Sequence, residues 1–378
     1  MESLLRNARK QVQDTPEIRG TIGQAKIVIV GAGGAGNNTV DRLMRIGILG
    51  ATCVSINTDQ QHLDAKKSNN RILIGKALTR GLGAGGQPEI GRAAAEESRN
   101  ELNAILSDAD LVFITCGLGG GTGTGSSPIV AEIAKQHDAM VVGVVTLPFN
   151  TEMGRLPKAE SGLKNLRKFA DTVVVLDNNK LLEIAPDLPI IEAFSLADEV
   201  LATMVKGITE TISIPSLINL DYADVRTILS TGGVAFIGIG ESTTEKGNRV
   251  EDAIKDALSS PLLDINISGA KGALIHVTGG NDMTLTEANK VSEYISKKMD
   301  KNAMVIWGAR VDSKIQDYIR VMLLITGIKS PQVLGSSTNY SRYNSSLPIY
   351  RKMAKPTPKL SDDVFSLPEI ENQTRKKK

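Results

Sequence analysis

The stretch Gly117-Leu118-Gly119-Gly120-Gly121-Thr122-Gly123-Thr124-Gly125 decides how this chain is read. Six of its nine residues are glycine and two are threonine, so backbone N–H groups can close around an anion while hydroxyls add directed hydrogen bonds. Ahead of it, LVFITC (Leu111 to Cys116) is continuous and apolar like a buried parallel strand; behind it, IVAEIAKQ after Pro128 has helical spacing. The loop therefore lies between a strand and a helix N-terminus, where free amides and the helix dipole favour negative charge. A plain surface turn has no use for this composition in that setting, so the stretch reads as a phosphate cradle.

The pattern repeats around it. KIVIV (Lys26 to Val30) runs into GAGGAGNN (Gly31 to Asn38) and then a helical stretch with Val40, Leu43, Met44 and Ile48. Gly31, Gly33 and Gly36 fit G-x-G-x-x-G, a weak signal alone. ATCVSIN ends at Asn57, Thr58 and Asp59, placing polar groups at a strand's carboxyl end. RILI (Arg71 to Ile74) leads to a second glycine-rich loop, Gly81 to Gly91, whose Pro88 suits the first turn of one long helix, EIGRAAAEESRNELNAIL. MVVGVVT and TVVVL follow the central cradle. Strands alternating with helices imply an α/β fold with a doubly wound, largely parallel sheet and three glycine-rich loops facing one crevice. A helix from Ile191 to Ile212 carries Phe194, Ala197, Leu201, Met204, Val205 and Ile208 on a broad apolar face. It separates this first domain from a second, smaller α/β or α+β domain with Asn219, Asp221 and Asp224 at its start.

Composition narrows the function. The 378 residues allow two domains, and the net charge of +2 hides an asymmetry. From Lys329 onward ten Lys/Arg face four Asp/Glu, a balance of +6, while the remainder has 34 against 38, a balance of −4. Positive charge on a tail without interleaved aromatics argues against nucleic-acid binding. No window suggests a membrane span and the polar N-terminus lacks a signal-peptide core, so a cytoplasmic protein without direct membrane insertion is expected. Cys53 and Cys116 fall in apolar runs and are expected as reduced core thiols; His62, His137 and His276 lack ligand spacing, so no metal held by protein side chains is expected. Residues 329–361 have linker composition, and DDVFSLPEI near the end reads either as filler or as a peptide that docks on another protein.

These residues resemble a known family. GGGTGTG (Gly119 to Gly125) is similar to the signature of the tubulin/FtsZ superfamily in its FtsZ spelling. GAGGAGNN, Asn57 to Asp59, GLGAGGQPEIG, PFNTE (Pro148 to Glu152) and NLDYADVR (Asn219 to Arg226) resemble the family's other loops in the right order. The chain looks like an archaeal-type member, which implies a cytoskeletal GTPase of the cell-division ring with GTP/GDP and Mg²⁺, assembling with itself into head-to-tail filaments. The resemblance implies an N-terminal arm (1–24), a GTP-binding domain (25–190), a central helix (191–213), a C-terminal domain (214–328), a linker (329–361) and a partner-binding tail (362–378). By position, Gly33, Gly34, Ala35, Gly36, Asn37 and Asn38 would line the diphosphate, and Gly120, Gly121, Thr122, Gly123 and Thr124 would hold phosphate oxygens. Ala84 and Gly85 would approach the γ-phosphate, Glu152 and Arg155 the ribose, and Asn178 the sugar. Phe194 would stack on guanine and Asp198 accept from it. The family's Glu-Gly-x-x-Arg reads Glu152-Met153-Gly154-Arg155 here, one residue shorter, and Asp198 stands where the family often has Asn.

If Phe194 and Asp198 touch the base, Asn219, Asp221 and Asp224 lie past the far end of a helix roughly 30 Å long. They would then act in trans, on nucleotide held by the next subunit, with Asp221 and Asp224 polarising the water and Asn219 holding it. Tail residues Val364 to Ile370 would be captured by a membrane adaptor or another division protein at the division site. Two rivals remain: an NAD-dependent oxidoreductase, from Gly31, Gly33, Gly36 and Asp59, and a non-hydrolysing GTP-binding scaffold.

Overall fold

The computed structural model describes residues 25–184, 186–214, 218, 220–243, 248–259, 267–312 and 318–328. The expected arm (1–24), Asn219, and the linker and tail (329–378) lie outside the described residues. The chain divides into units at 1–334 and 335–378, and all described residues belong to the first.

The first half alternates strand and helix: β1 (Ile27–Ala32), α1 (Gly33–Ile46), β2 (Ala51–Asn57), α2 (Gln60–Asp64), β3 (Asn70–Leu73), α3 (Lys76–Thr79), α4 (Pro88–Glu97), α5 (Arg99–Leu106), β4 (Leu111–Gly117), α6 (Thr122–Gln136), β5 (Met140–Leu147), α7 (Leu156–Leu166), β6 (Thr172–Asp177) and α8 (Asn179–Ile184). After α9 (Ile190–Ser213) come α10 (Tyr222–Ser230), β7 (Val234–Ser242), α11 (Arg249–Leu258), β8 (Gly272–Gly279), α12 (Leu285–Ser296), β9 (Met304–Val311) and β10 (Ile319–Ile328).

Ten strands make one sheet in the order β3-β2-β1-β4-β5-β6-β7-β10-β8-β9. From β3 to β6 every pairing is parallel. Such strands need cover on both faces, and the residues alternate accordingly: Ile27, Ile29, Leu111 and Phe113 enter one core, Val28, Val30, Val112 and Ile114 the other. The strand order reverses between β1 and β4, so the segments leaving their carboxyl ends diverge and open a crevice there. Beyond β6 the sheet continues through a single registered pair, Val173 with Val234. β10 then runs antiparallel to both β7 and β8. α9 lays Leu201, Met204, Val205 and Ile208 into the larger core; its 24 residues reach about 36 Å.

Three local expectations change. The single helix expected from Pro88 breaks into α4 and α5 at Ser98, whose Oγ accepts from Gly75 N–H at 3.2 Å. The helix expected after Pro128 starts seven residues earlier, at Thr122, with Pro128 inside it. α1 likewise begins at Gly33 directly after β1, with no intervening turn. In both cases a glycine-rich stretch that reads as loop is the first turn of a helix, because packing overrides its poor propensity.

In the second half, Arg249 is 1 % exposed and opens α11. Its guanidinium donates to Glu287 Oε1 at 2.7 Å and to Asp282 Oδ2 at 2.7 Å, while Glu287 also closes a capping box with Thr284 at the start of α12. The Arg249 guanidinium holds the Glu287 carboxyl down to about 2. A depressed carboxyl contributes stability above its ordinary value near 4.5 and loses it as pH falls through about 2. Arg249→Ala removes the cationic partner of two carboxylates and is expected to lower unfolding free energy at pH 7 by about 3 kcal/mol. Denaturant unfolding followed from pH 7 downward should show the gap to wild type closing below pH 4.5; a gap independent of pH would contradict the ion-pair account.

Candidate functional site

Two helix N-termini meet at the crevice. α1 and α6, 14 and 15 residues long, both lack a side-chain cap and an acidic residue in the first turn. Their first N–H groups are thus left for an external acceptor, and no carboxylate within either first turn offsets the positive end of its dipole. The two first turns touch: a Cβ on Gly33, whose φ is +70°, would stand 2.8 Å from Gly123 N. A Cβ on Gly36 would collide with the Thr115 carbonyl oxygen, and one on Gly31 with the carbonyl of Gly36. The G-x-G-x-x-G glycines therefore seat α1 on β4. The Gly81 to Gly91 loop closes over the same place, since a Cβ on Gly121 would lie 2.8 Å from both Ala84 Cβ and Gln87 N. Gly85 is exposed, and Gly120 has nothing within 4 Å of a would-be Cβ, so both border open space.

The hydroxyls and amides sort into two kinds. Thr124 is buried and its Oγ1 accepts from Gly119 N–H at 2.9 Å, which closes the loop on itself; Thr122 Oγ1 lies 2.7 Å from Thr58 Oγ1. Asn37 turns its side chain into the protein. It is fully buried: its Nδ2 donates to Gly31 O and Ile56 O, and its Oδ1 accepts from Asn57 Nδ2 at 2.8 Å. Its amide ties α1 to β1 and β2 and does not face the crevice. Asn38, half-buried, has an Oδ1 with no partner among the described residues. Gly34 and Ala35 are the exposed part of the α1 turn.

The residues expected near a base and sugar also come together. Arg155 reaches back to Glu152, Nη1 to Oε2 at 2.7 Å, so the shorter spacing still pairs them; Glu152 Oε1 accepts from Phe149 N–H at 3.2 Å. Phe194 is 45 % exposed and stands edge-on to Phe149, ring centres 5.9 Å apart. Asn178 follows β6 and donates its N–H to Leu147 O. Asp198, one turn after Phe194, accepts from Thr39 Oγ1 of α1 at 3.3 Å. Burial pushes its carboxyl up to about 6, against the hydrogen bond from Thr39 and the charges of Lys66 and Arg42. It is thus ionised at neutral pH and able to accept.

The acids lie elsewhere. Asp221 caps α10 by accepting from Asp224 N–H at 2.8 Å, and Asp224 Oδ2 accepts from Asp221 N–H at 3.3 Å. Both carboxylates therefore have a capping role. Tyr222 between them donates its hydroxyl to Asp110 O at 2.6 Å. Asp110 immediately precedes β4, whereas the glycine cradle follows it; the seven residues between span roughly 23 Å. The described acids and the cradle occupy opposite ends of one strand.

The family model for the Tubulin/FtsZ family, GTPase domain, matches residues 26–186, and that for the FtsZ family, C-terminal domain, matches residues 233–329. A relative, Cell division protein FtsZ 2 of Methanocaldococcus jannaschii, is 55% identical over 340 residues, 90% of either chain. The chain belongs to the FtsZ family. Cell division protein FtsZ 2 of Haloferax volcanii is 51% identical over 88% of this chain and 82% of its own. An FtsZ of M. jannaschii, solved as an empty dimer, superposes with a TM-score of 0.75 at 52% identity, covering 85% of this chain and 91% of that one. The chain is thus a cell-division protein of the tubulin/FtsZ GTPase family, which implies binding of GTP and GDP. The family assignment sets the dinucleotide reading aside; its acid, Asp59, caps α2, with Oδ1 accepting from His62 N–H. Among the described residues no helix is long and apolar enough to cross a membrane, and no three His, Cys, Asp or Glu cluster as a metal site.

The seating of α1 can be tested by two glycines two positions apart. Gly36→Ala forces a methyl into the Thr115 carbonyl and is expected to destabilise by about 2 kcal/mol. Gly34→Ala meets only His62 Nε2, at 3.8 Å, and should leave stability within about 0.5 kcal/mol. Urea unfolding of both variants measures the difference; equal effects would contradict the close-packing role.

Proposed function

We propose that this FtsZ-family chain binds GTP across the crevice between β1 and β4, and hydrolyses it only when a second subunit stacks head to tail. The observation that carries this reading is the separation of Asp221 and Asp224 from the cradle by the length of β4. One chain cannot bring its own acids to its own phosphates, but the next chain in a stack can. A heterologous contact of this kind repeats without closing and builds an open filament. The M. jannaschii relative solved as a dimer favours self-association.

In this reading the amides of Gly33 to Ala35 and of Gly120 to Thr124 hold the phosphates, with Ala84 and Gly85 beside the γ-phosphate. Asn38, whose buried Oδ1 has no partner among the described residues, belongs to the turn that lines the diphosphate; Asn37 and Thr124 hold the cradle's shape. Phe194 stacks on guanine. The ionised Asp198 accepts from guanine N1–H and N2–H₂, donors that adenine does not offer together. Glu152 and Arg155 serve the ribose, and Asn178 lies near the sugar. Mg²⁺, carried by phosphates and water because no described carboxylate cluster would hold it, offsets the phosphate charge. Phosphoryl transfer asks mainly for positioning and electrostatics. Asp224 and Asp221 of the incoming subunit therefore orient and polarise the attacking water, with Asn219 holding it. Each caps α10 through one hydrogen bond and keeps further lone pairs for water.

The working parts would be an arm (1–24), a GTP-binding domain (25–190), a central helix (191–213), a C-terminal domain (214–328), a linker (329–361) and a tail (362–378). The tail would be captured by a membrane adaptor or division protein at a cytoplasmic ring. A non-hydrolysing scaffold of the same family is the alternative, and turnover decides between them.

GTP turnover per subunit, measured against protein concentration with pelleting in the same tubes, is expected to be negligible at low concentration and to rise together with pelleting. Asp224→Ala should pellet normally yet lose about 10²-fold in turnover. Constant turnover per subunit across the range would contradict completion of the site in trans, and full turnover by Asp224→Ala would falsify the role given to that acid.

A further inference from the structure

His62 belongs to no glycine motif, yet its imidazole stands at the edge of the α1 turn. Nε2 lies 3.8 Å from the point a Cβ on Gly34 would occupy, and nothing else comes within 4 Å of that point. Gly34 is exposed and its amide is one of those α1 leaves without a helical partner.

Hydrogen bonding fixes which ring nitrogen carries the proton. Asn57 Oδ1 accepts from the N–H of Thr58 at 2.9 Å and of Asp59 at 3.2 Å, which sets the amide's orientation and leaves Nδ2 on the other side. That Nδ2 donates to Asn37 Oδ1 at 2.8 Å and faces His62 Nδ1 at 3.4 Å. An amide nitrogen only donates, so Nδ1 is the acceptor and the neutral ring carries its hydrogen on Nε2. A second proton on Nδ1 would set two donors against each other. Burial and the charge of Lys66 hold the imidazole's pKa below its ordinary value, opposed by Asp59. The other groups facing the ring, Asn57 and the glycine backbone of α1, carry no charge.

We infer that His62 is a phosphate-binding residue of the nucleotide site: its Nε2–H, the uncharged tautomer, donates to a phosphate oxygen seated on the first turn of α1. The inference rests on the nucleotide occupying the crevice as proposed above. It adds to the backbone amides a side-chain donor that supplies direction without net charge. The buried Asn37 and Asn57 pair acquires a second purpose, since it orients the ring as well as the helix.

The test compares equilibrium binding of GTP, GDP and guanosine to the full chain and to His62→Ala and His62→Gln. His62→Ala is expected to lose about tenfold in affinity for GTP and GDP, with guanosine unchanged. His62→Gln, which keeps an N–H donor at similar reach, should recover part of the loss. Between pH 7 and 8 the ratio of wild-type to His62→Ala affinity should stay level, because the ring is already neutral there and the ratio cancels titration of the nucleotide itself. Equal losses for guanosine would show that His62 acts through the fold and would overturn the inference. A ratio that climbs as pH falls would make the imidazolium the binding form and overturn the neutral donor. Wild-type protein that binds neither GTP nor GDP would defeat the nucleotide reading itself, a result distinct from either.

Discussion

Everything at the crevice depends on two helices starting in contact. β1 and β4 are hydrogen-bonded neighbours, and each delivers its helix without a connecting turn or after a tight one. Two positive helix ends placed side by side repel, and two uncapped sets of amides need an acceptor. The arrangement holds because glycine removes every Cβ from the contact at residues 31, 33, 36, 91, 121 and 123, so packing against Thr115, Gly121 and Ala84 offsets the electrostatic cost. What remains is a surface of oriented N–H groups whose unmet demand is an anion. The glycine content is thus a steric requirement first and an anion-binding device as its result.

The rest of the molecule fixes distances from that point. β4 acts as a strut with the cradle at one end and, through Tyr222 and the carbonyl of Asp110, the α10 acids at the other. That carbonyl also accepts from Met140 N–H, so the start of β4 binds its neighbour β5 and the acid-bearing helix together. α9 runs alongside, tied to α1 near its start by Thr39 with Asp198 and by the Arg42 and Glu199 ion pair. On the proposed function, a subunit with a nucleotide platform at one end and acids at the other would be incomplete alone, and polymerisation would be the condition for chemistry.

The sheet and its order of elements were legible because buried parallel strands leave continuous apolar runs such as Leu111 to Cys116. The motif glycines marked the crevice. The start of α6 was not legible, since a helix beginning Thr-Gly-Thr-Gly contradicts propensity and is set by contacts with Ala84, Pro88 and Cys116. The side-chain contacts of Asn37 were not legible because position in a motif does not tell which way a side chain turns; burial against Gly31 and Ile56 does. Tyr222 gave no signal, its partner being 112 residues away in sequence. His62 was passed over because ligand spacing is a criterion for metals, whereas its neighbours here are an amide and a helix turn.

The central claim is that cradle and acids of different subunits make one site, and mixing two defective chains tests it most directly. One chain carries Asp224→Ala; the other carries Gly121→Val, which drives a side chain into Ala84 and Gln87 and should abolish nucleotide binding while leaving its acids intact. Alone, neither should turn GTP over. Mixed in equal amounts under assembling conditions, they are predicted to recover up to about one quarter of wild-type turnover, the share of random neighbours that join an intact cradle to an intact acid. A mixture that stays as inactive as its components, while both chains are found in the same pelleted filaments, would contradict a site shared between subunits.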